Sequence, residues 1–312
     1  MCGIVGYIGD ENATGIIIDG LKKLEYRGYD SSGIALVTKD HQLIVRKKKG
    51  RIANLEELIA GEDLYANLGI GHTRWATHGA PSDVNAHPHT DMSGRIAVVH
   101  NGIVENYLAL KEWLIKEHNV VFKSETDTEI IAQLIGVLYD GDIEEAVRKA
   151  VEKMQGAYGI GVICRDEPDK MIAVRKDSPL IVGLGQGCNF IASDIPALLK
   201  YVRQIYLIEN NEMVVLTAND VKIYNADHEE VHRDVFNVTW DADAAEKEGY
   251  DHFMLKEIHE QPKGIRDTLV RRMDENGEIV LDGIKLTKED IEGFNKVYIV
   301  ACGTAYHAGL IG

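Results

Sequence analysis

Hydrophobic and polar residues follow two different periods along the first 240 residues of the chain. Short runs rich in β-branched residues predict strands, and several form pairs separated by turn-sized gaps, as antiparallel sheets require. We expect two such sheets packed together in one α+β unit. The predicted strands are GIVGYI, GIALVT, QLIVRK, RIAVVH, YGIGVIC, KMIAVR, NFIAS, IYLI, EMVVLT and VKIYN.

Four segments carry the longer period that is typical of amphipathic helices. Apolar residues recur at intervals of three and four residues over 14–24, 106–118, 126–139 and 142–154, so each helix has one buried face. Thr126 and Glu129 have the spacing of a capping box. This spacing predicts that the third helix begins there, with Asp127 in its first turn.

The composition changes after Trp240, where DADAAEKEG over 241–249 is acidic and alanine-rich. Such a stretch fits a linker better than a core element. We therefore expect one domain over 1–240 and the start of another over 250–312. In the second, HFMLKEIHEQPKGIRDTLVRRM predicts a helix interrupted at Pro262, and residues 297–301 predict a buried strand that runs into a Gly-Thr turn.

Composition and charge exclude several classes of protein. Hydrophobic residues make up 45% and charged residues 27% of the 312 residues, which is ordinary for a folded globular chain. The formal net charge of −16 argues against nucleic acid, which is bound by clustered Lys and Arg. No run is apolar enough to span a bilayer, and the N-terminus lacks the pattern of a signal peptide. We expect a cytoplasmic protein that binds no membrane.

The cysteines at 2, 164, 188 and 302 form no CxxC pair, so neither a zinc ribbon nor a disulfide framework is indicated. Cys2 differs from the others by its position. If the initiator Met is removed, Cys2 carries both a thiol and a free α-amine, and near neutral pH the amine can take the thiol proton. The alternative is that Cys2 is a small apolar residue at the beginning of a strand.

Three further segments pair unusual polar residues with glycine. They are YRGYDSSG from Tyr26, GHTRWATHG from Gly71 and VVHNGIVENY from Val98, with SETDTE soon after. Together with MCGIVG, these segments resemble the type-2 glutamine amidotransferases over residues 1 to 240. That resemblance implies an αββα sandwich of the N-terminal-nucleophile hydrolases. Within the family, EYRGYDSSG and HTRWATHG resemble the glucosamine-6-phosphate synthase branch.

The resemblance implies a role for each matching residue. Cys2 matches the nucleophile that attacks the glutamine side-chain amide, and Asn101 and Gly102 match the donors to the oxyanion. Arg74 matches the residue that holds the α-carboxylate of glutamine, and Asp127 matches the partner of its α-ammonium. Considered alone, Asn-Gly is also typical of a hairpin turn, and Asp127 is a favourable charge near a helix N-terminus.

The resemblance extends to residues around the glutamine pocket. Thr77 and His78, on the same loop as Arg74, match residues that line the pocket. Trp75 matches a residue that controls the passage of ammonia, and Arg27 matches one that positions groups near the nucleophile. The alternatives are a surface Trp that anchors a loop and an ordinary surface ion pair.

The cluster of His72, His78, His87, His89 and His100 raises the question of zinc. Neither HPH nor HTRWATH has the i, i+4 spacing of metal-binding helices. Hydrogen bonding within loops explains these histidines better. We expect a reaction that needs no metal and no organic cofactor.

The C-terminal CGTAYHAGLI resembles the first phosphate-binding turn of an α/β sugar isomerase domain, with Thr304 as the matching hydroxyl. Ala305 stands where a second hydroxyl is expected from Ser. The family has two isomerase units after its glutaminase, so we expect this chain to perform the glutaminase half alone. L-Glutamine is the expected partner, with fructose 6-phosphate and a homodimer expected only in the full-length protein.

Two rival functions remain open from the sequence. Another type-2 amidotransferase, such as the phosphoribosyl-pyrophosphate enzyme, shares the nucleophile and the Arg and Asn-Gly motifs, but its second half predicts an acidic ribose-phosphate loop instead of a Gly-Thr turn. A non-catalytic module that binds a ligand is the other rival. It has no need of a nucleophile beside Asn101 and Gly102.

Overall fold

A computed structural model describes residues 2–239, 249–270, 272–274, 277–281, 283–284, 286–301 and 303–311. The chain divides into two compact units, Met1–Glu246 and Lys247–Gly312. The domain boundaries predicted at 240 and 250 stay predictions, because residues 241–248 of the expected linker lie outside the described residues.

The first unit is built on two antiparallel sheets. The strands of one sheet are β1 (Gly3–Gly9), β2 (Ser31–Val37), β3 (Leu43–Lys49), β4 (Leu68–Arg74), β9 (Ile181–Leu184), β10 (Cys188–Ala192), β11 (Gln204–Leu207) and β15 (Phe236–Asn237). Those of the other are β5 (His89–Thr90), β6 (Ile96–Val104), β7 (Gly156–Cys164), β8 (Glu167–Lys176), β12 (Glu212–Leu216), β13 (Val221–Tyr224) and β14 (Glu230–Val231). Their orders are β15-β11-β9-β10-β1-β4-β2-β3 and β14-β13-β12-β8-β7-β6-β5.

Five helices flank these sheets. They are α1 (Ala13–Leu24), α2 (Ile52–Ile59), α3 (Tyr107–His118), α4 (Asp127–Leu138) and α5 (Ile143–Lys153). The four predicted helices are confirmed to within about one residue, but α2 was not predicted. It has eight residues and no side-chain cap at Arg51, so neither its length nor its ends stand out in the sequence.

Only half of the predicted capping box forms at the start of α4. The Thr126 side chain accepts from the Glu129 N–H at 3.3 Å, as predicted. The Glu129 carboxylate does not return to Thr126, because it accepts from the N–H groups of Lys123 and Ser124 at 2.9 and 2.6 Å. Glu129 therefore holds the segment before the helix, and Asp127 is the first helical residue, as expected.

Three apolar layers confirm the αββα sandwich. One layer lies between α1, α2 and the first sheet, and another between α3, α4, α5 and the second sheet. The third lies between the two sheets and includes Ile4, Ile70 and Val99. Since successive side chains of a strand point to opposite faces, each strand contributes alternate residues to two of these layers.

Strand β4 was not predicted, because the sequence LGIGHTR does not look like a strand. Its glycines face α1, where a Cβ on Gly71 would lie 2.3 Å from Ile17 Cγ2. Leu68 and Ile70 point to the other face, into the layer between the sheets. The glycines thus let α1 approach closely. Arg74 ends this strand, so the prediction that it shares a loop with Thr77 and His78 is wrong.

The second unit contains α6 (Phe253–Val270), α7 (Lys288–Glu292) and α8 (Gly303–Ile311). Pro262 lies inside α6, so the predicted interruption is wrong: a proline removes one backbone hydrogen bond but leaves the flanking turns helical. The predicted buried strand at 297–301 is also wrong. These residues have no strand partner among the described residues, and Val300 is 96% exposed.

Among the residues that the structure describes, every helix is too short or too polar to cross a lipid bilayer.

We expect the layer between the sheets to dominate the stability of the first unit. Ile70 is fully buried there, so Ile70→Ala should lower the free energy of unfolding by about 2–5 kcal/mol, measured by urea denaturation. Val121→Ala is the control, since this apolar side chain is 68% exposed and its loss should cost less than about 0.5 kcal/mol. Equal effects of the two substitutions would contradict this assignment of the core.

Candidate active site

The predicted nucleophile and oxyanion donors meet at one end of the layer between the sheets. Cys2 precedes β1, and Asn101 lies near the end of β6. The Asn101 Nδ2 donates to the Cys2 carbonyl oxygen at 3.0 Å, which joins the two sheets at this point. Asn101 and Gly102 pair with Gly159 and Tyr158 of β7, so they belong to the strand and do not form a hairpin turn.

The Cys2 thiol is held by the backbone of Trp75. The Trp75 N–H donates to Cys2 Sγ at 3.2 Å, and the thiol donates to the Trp75 carbonyl oxygen at 3.5 Å. Burial raises the pKa of the Cys2 thiol, and the hydrogen bond from Trp75 offsets this only in part. The neutral thiol therefore prevails near neutral pH, and a base is needed to form the thiolate. Met1 lies outside the described residues.

Gly102 occupies a position that no other residue fits. Its φ is 120°, and a Cβ there would lie 2.0 Å from the Ala157 carbonyl oxygen. A side chain would therefore force the end of β6 away from β7. The exposed backbone of Gly102 stays in place beside the buried Asn101.

Arg74 presents an unsatisfied donor although it is buried. The side chain is 3% exposed, and Nη2 donates to the carbonyl oxygens of His78 and Gly79, the latter at 3.1 Å. Nη1 is buried and has no hydrogen-bond partner among the described residues. A buried guanidinium with one open edge requires an anionic group to complete it. The arrangement therefore suits a carboxylate.

Asp127 lies at the first position of α4 and is 4% exposed. Its Oδ2 accepts from the Val104 N–H at 3.0 Å, which ties the helix to the end of β6. His100 Nδ1 is 3.9 Å away, but burial lowers the pKa of His100 despite the nearby carboxylate. His100 is therefore neutral at neutral pH and forms no ion pair with the Asp127 carboxylate.

The loop after β4 carries the remaining predicted pocket residues. Trp75 is 49% exposed, and its ring meets that of Tyr29 edge-on at 5.3 Å. Thr77 is exposed, and its Oγ1 is 3.4 Å from His78 Nδ1. The His78 ring meets that of Tyr107 edge-on at 5.3 Å. Among the described residues, none of these three side chains forms a hydrogen bond with Cys2.

Arg27 forms an ion pair with Asp194 and is more buried than an ordinary surface pair, at 8% exposure of its side chain. Tyr26 also donates to Asp194 Oδ2, at 3.1 Å. These three residues and Trp75 line a cavity of about 410 Å³. Trp75, whose backbone holds the Cys2 thiol, is thus one of the residues that line this cavity. Asp194 was not predicted, because nothing near it in the sequence marks the contact.

Asp30 was also missed, although it lies within a predicted motif. Its carboxylate accepts from the Ala76 N–H, and its own N–H donates to the Arg74 carbonyl oxygen at 3.1 Å. Gly28 lies against the same backbone, where a Cβ would be 2.7 Å from the Arg74 carbonyl carbon. The segment YRGYDSSG therefore fixes the loop that holds Cys2.

Four of the five clustered histidines are buried, namely His72, His87, His89 and His100. The expectation of loop hydrogen bonds is wrong for His72, His89 and His100, which lie in β4, β5 and β6. Burial lowers the pKa of all four, that of His72 to about 3. The described residues include no group of three or more His, Cys, Asp and Glu side chains arranged to hold a metal ion.

The residue Thr304 was predicted to contact a sugar phosphate. It belongs to α8, but its side chain lies outside the described residues. A separate cavity of about 690 Å³ at the edges of β3 and β5 is lined by none of the predicted site residues. We place the candidate site by its chemistry, beside Cys2.

Known proteins with similar sequences point to the same kind of chemistry as the residues around Cys2. The chain is 58% identical over its whole length to the glutamine–fructose-6-phosphate aminotransferase (isomerizing) of Clostridium tetani, and 56% identical to that of Clostridium perfringens. Residues 72–200 match the family described as glutamine amidotransferase domain. Over these residues the chain is similar to the glutamine amidotransferases. It spans about half the length of these curated relatives, 51% in each case, and the matches identify it as an enzyme chain.

Solved structures of this family have the same fold. The glutamine phosphoribosylpyrophosphate amidotransferase of B. subtilis matches with a TM-score of 0.63 and 25% identity, over 72% of this chain and 49% of that one. A class-II glutamine aminotransferase domain protein of Silicibacter pomeroyi matches with a TM-score of 0.51 and 14% identity, over 72% of this chain and 99% of that one. The latter shows the fold alone.

The buried neutral histidines predict a loss of stability in acid. Because burial holds the pKa of His87 well below 6.5, the unfolded chain takes up this proton first as the pH falls. The contribution of the neutral His87 to the free energy of unfolding is complete above pH 6.5 and is progressively lost as the pH falls below this value. The free energy of unfolding should fall by up to about 1.4 kcal/mol per pH unit for each such histidine.

We expect His87→Gln to reduce the slope of the free energy of unfolding against pH by the amount that corresponds to about one proton. The slope is measured by urea denaturation between about pH 7.5 and about pH 4.5. His232→Gln is the control, because it removes an exposed imidazole and leaves the buried group intact. A slope that His87→Gln leaves unchanged would show that His87 is not buried in the neutral form.

Proposed function

We propose that the chain hydrolyses the side-chain amide of L-glutamine, with Cys2 as nucleophile once Met1 has been removed. The observation that carries this proposal is the unpartnered Nη1 of the buried Arg74, directly before the residue that holds the Cys2 thiol. The nucleophile therefore lies next to a site that can bind a carboxylate. This arrangement fits an amino acid that is held by its α-carboxylate and reacts at the end of its side chain.

The chemistry then proceeds in two steps. The free α-amine of Cys2 takes the thiol proton, and the thiolate attacks the amide carbon to form a C–S bond. Asn101 Nδ2 and the Gly102 N–H stabilise the oxyanion, and the C–N bond breaks as the α-ammonium of Cys2 gives its proton to the amide nitrogen, which leaves as ammonia. Water then attacks the thioester carbon, giving a proton to the α-amine; the C–S bond breaks, glutamate leaves, and the proton returns to the Cys2 sulfur.

The remaining residues hold the substrate by its amino-acid end. Arg74 Nη1 donates to the α-carboxylate, and Asp127 accepts from the α-ammonium. Both side chains are buried and carry opposite charges, as a zwitterion requires. Thr77 and His78 line the pocket at the loop.

The side chains of Trp75 and Arg27 act at the same loop and take no part in the two chemical steps. In this proposal the exposed indole of Trp75 controls the passage of ammonia away from Cys2. Arg27 positions the loop through its pair with Asp194.

The named relatives extend the proposal to the longer protein. We infer that the released ammonia serves to convert fructose 6-phosphate into glucosamine 6-phosphate, since the relatives are named as glutamine–fructose-6-phosphate aminotransferases. This step needs sequence beyond the half that the chain matches. The sugar-phosphate contact of Thr304, the homodimer, the cytoplasmic location and the absence of nucleic-acid binding stay predictions.

The two rival functions are less well supported. The phosphoribosyl-pyrophosphate enzyme is 25% identical over 72% of the chain, against 58% over the whole chain for the aminotransferase of C. tetani. A non-catalytic binding module leaves the Cys2 thiol and its hydrogen bonds to Trp75 without a purpose.

The nucleophile can be tested by labelling. The Met-free chain should gain one adduct of 6-diazo-5-oxo-norleucine, a glutamine-like electrophile, located on Cys2 by intact mass and peptide fragmentation. Cys2→Ala should gain none, whereas Cys188→Ala should label fully, because Cys188 is a half-buried thiol that pairs with Gly9, at the other end of β1 from Cys2. A Met-free chain that gains no adduct on Cys2 would overturn the proposed hydrolysis.

The role of Arg74 can be tested separately. Arg74→Ala should raise KM for glutamine by about 10- to 150-fold, the cost of losing a charge-assisted hydrogen bond of about 1.5–3 kcal/mol. Arg46→Ala is the matched control, since Arg46 pairs with Glu62 at the surface. With a substrate analogue that lacks the α-carboxylate, wild type and Arg74→Ala should have similar KM values. A persistent difference would mean that Arg74 does not bind the carboxylate.

A further inference from the structure

One buried histidine contacts the proposed oxyanion donor directly. His72 in β4 is fully buried, and its Nε2 lies 3.0 Å from Asn101 Oδ1 and 3.1 Å from the His100 carbonyl oxygen. Asn101 Nδ2 lies 3.0 Å from the Cys2 carbonyl oxygen. The Asn101 amide is therefore held between the strand that carries Arg74 and the residue that carries the thiol.

The two carbonyl oxygens fix the direction of these hydrogen bonds. A carbonyl oxygen only accepts, so His72 Nε2 must carry the proton that it shares with His100. The Asn101 atom that faces the Cys2 carbonyl must likewise be the NH₂ group, which leaves Oδ1 to face His72. Both ends of the amide are thus assigned by unambiguous acceptors, and the Asn101 NH₂ faces Cys2.

The surroundings of His72 keep it in this state. Burial lowers the pKa of its imidazole to about 3, so the ring stays neutral at working pH. Its other nitrogen, Nδ1, is buried and has no hydrogen-bond partner in the part of the chain that the structure describes, so it gains nothing by taking the proton. The ring packs against that of His87, with centroids 4.2 Å apart. One tautomer is therefore strongly preferred.

We propose that His72 is a positioning residue for glutamine hydrolysis. It holds the Asn101 amide so that its NH₂ group faces Cys2 and can donate to the side-chain carbonyl oxygen of glutamine. This inference rests on the proposed function. Without the His72 donor, Asn101 Oδ1 loses its buried partner and the amide can rotate by half a turn. Rotation would point an acceptor at the developing oxyanion and repel it.

A purely structural role for His72 makes a different prediction. His72 fills the same layer as Ile70, so its replacement also affects packing. A packing defect acts whether or not Asn101 is present, whereas a positioning effect acts only through Asn101. A double-mutant cycle separates the two.

We expect His72→Leu to lower kcat for glutamine hydrolysis by between about tenfold and about 10³-fold, the upper limit being the loss of the oxyanion donor itself. KM should change less than kcat, because Arg74 and Asp127 still hold the substrate. In an Asn101→Ala background, His72→Leu should have little further effect on kcat. His72→Gln, which keeps an N–H donor, should recover part of the lost rate.

Equal losses of kcat from His72→Leu in the wild-type and Asn101→Ala backgrounds would overturn the positioning role. A second measurement needs no substitution: ¹⁵N NMR of the wild-type chain should show His72 neutral and protonated at Nε2 from about pH 5 to about pH 8. Protonation at Nδ1 would equally overturn it. If the wild-type chain released no glutamate at all, the proposed function would fail instead, while the NMR result would still stand.

Discussion

The candidate site depends on the alternation of side chains along strands that are packed on both faces. In β4, Leu68 and Ile70 point between the sheets, so His72 and Arg74 point the same way two and four residues later. In β6, Ala97 and Val99 set the direction of Asn101 in the same manner. A shift of register by one residue would turn every one of these side chains away from the site. The apolar layer between the sheets thus determines where the chemistry is placed.

The polar end of that layer contains buried groups that lower the stability of the fold. Arg74 is buried, and its Nη1 has no hydrogen-bond partner among the described residues. Four histidines are buried in the neutral form, although water would solvate their protonated form in acid. Such groups persist only where the surrounding structure holds them, here through Asp30 at the loop and the contact between the rings of His72 and His87. In the proposed function, the α-carboxylate of glutamine supplies the partner of Arg74 Nη1.

Much of the fold was predictable from local pattern. The helices that became α1, α3, α4 and α5 have long periodic faces, and Asn12, Thr126 and Asp142 cap three of them. Strand β4 was not predictable in this way, because its glycines are selected by the approach of α1 and not by β-propensity. The resemblance of short motifs placed Cys2, Arg74, Asn101 and Asp127. It did not reveal His72, Asp30 or Asp194, whose partners are distant in sequence: Asp194 is 167 residues from Arg27.

In the proposed function, glutamine lies with its amino-acid end between Arg74 and Asp127 and its side-chain end beside Cys2 and Asn101. The most direct test is a crystal structure of the Met-free chain with the product L-glutamate bound. We predict that the α-carboxylate accepts from Arg74 Nη1, the α-ammonium faces Asp127, and the γ-carboxylate lies between Cys2 Sγ and Asn101 Nδ2. Glutamate bound in the reverse orientation, or away from Cys2, would contradict the account.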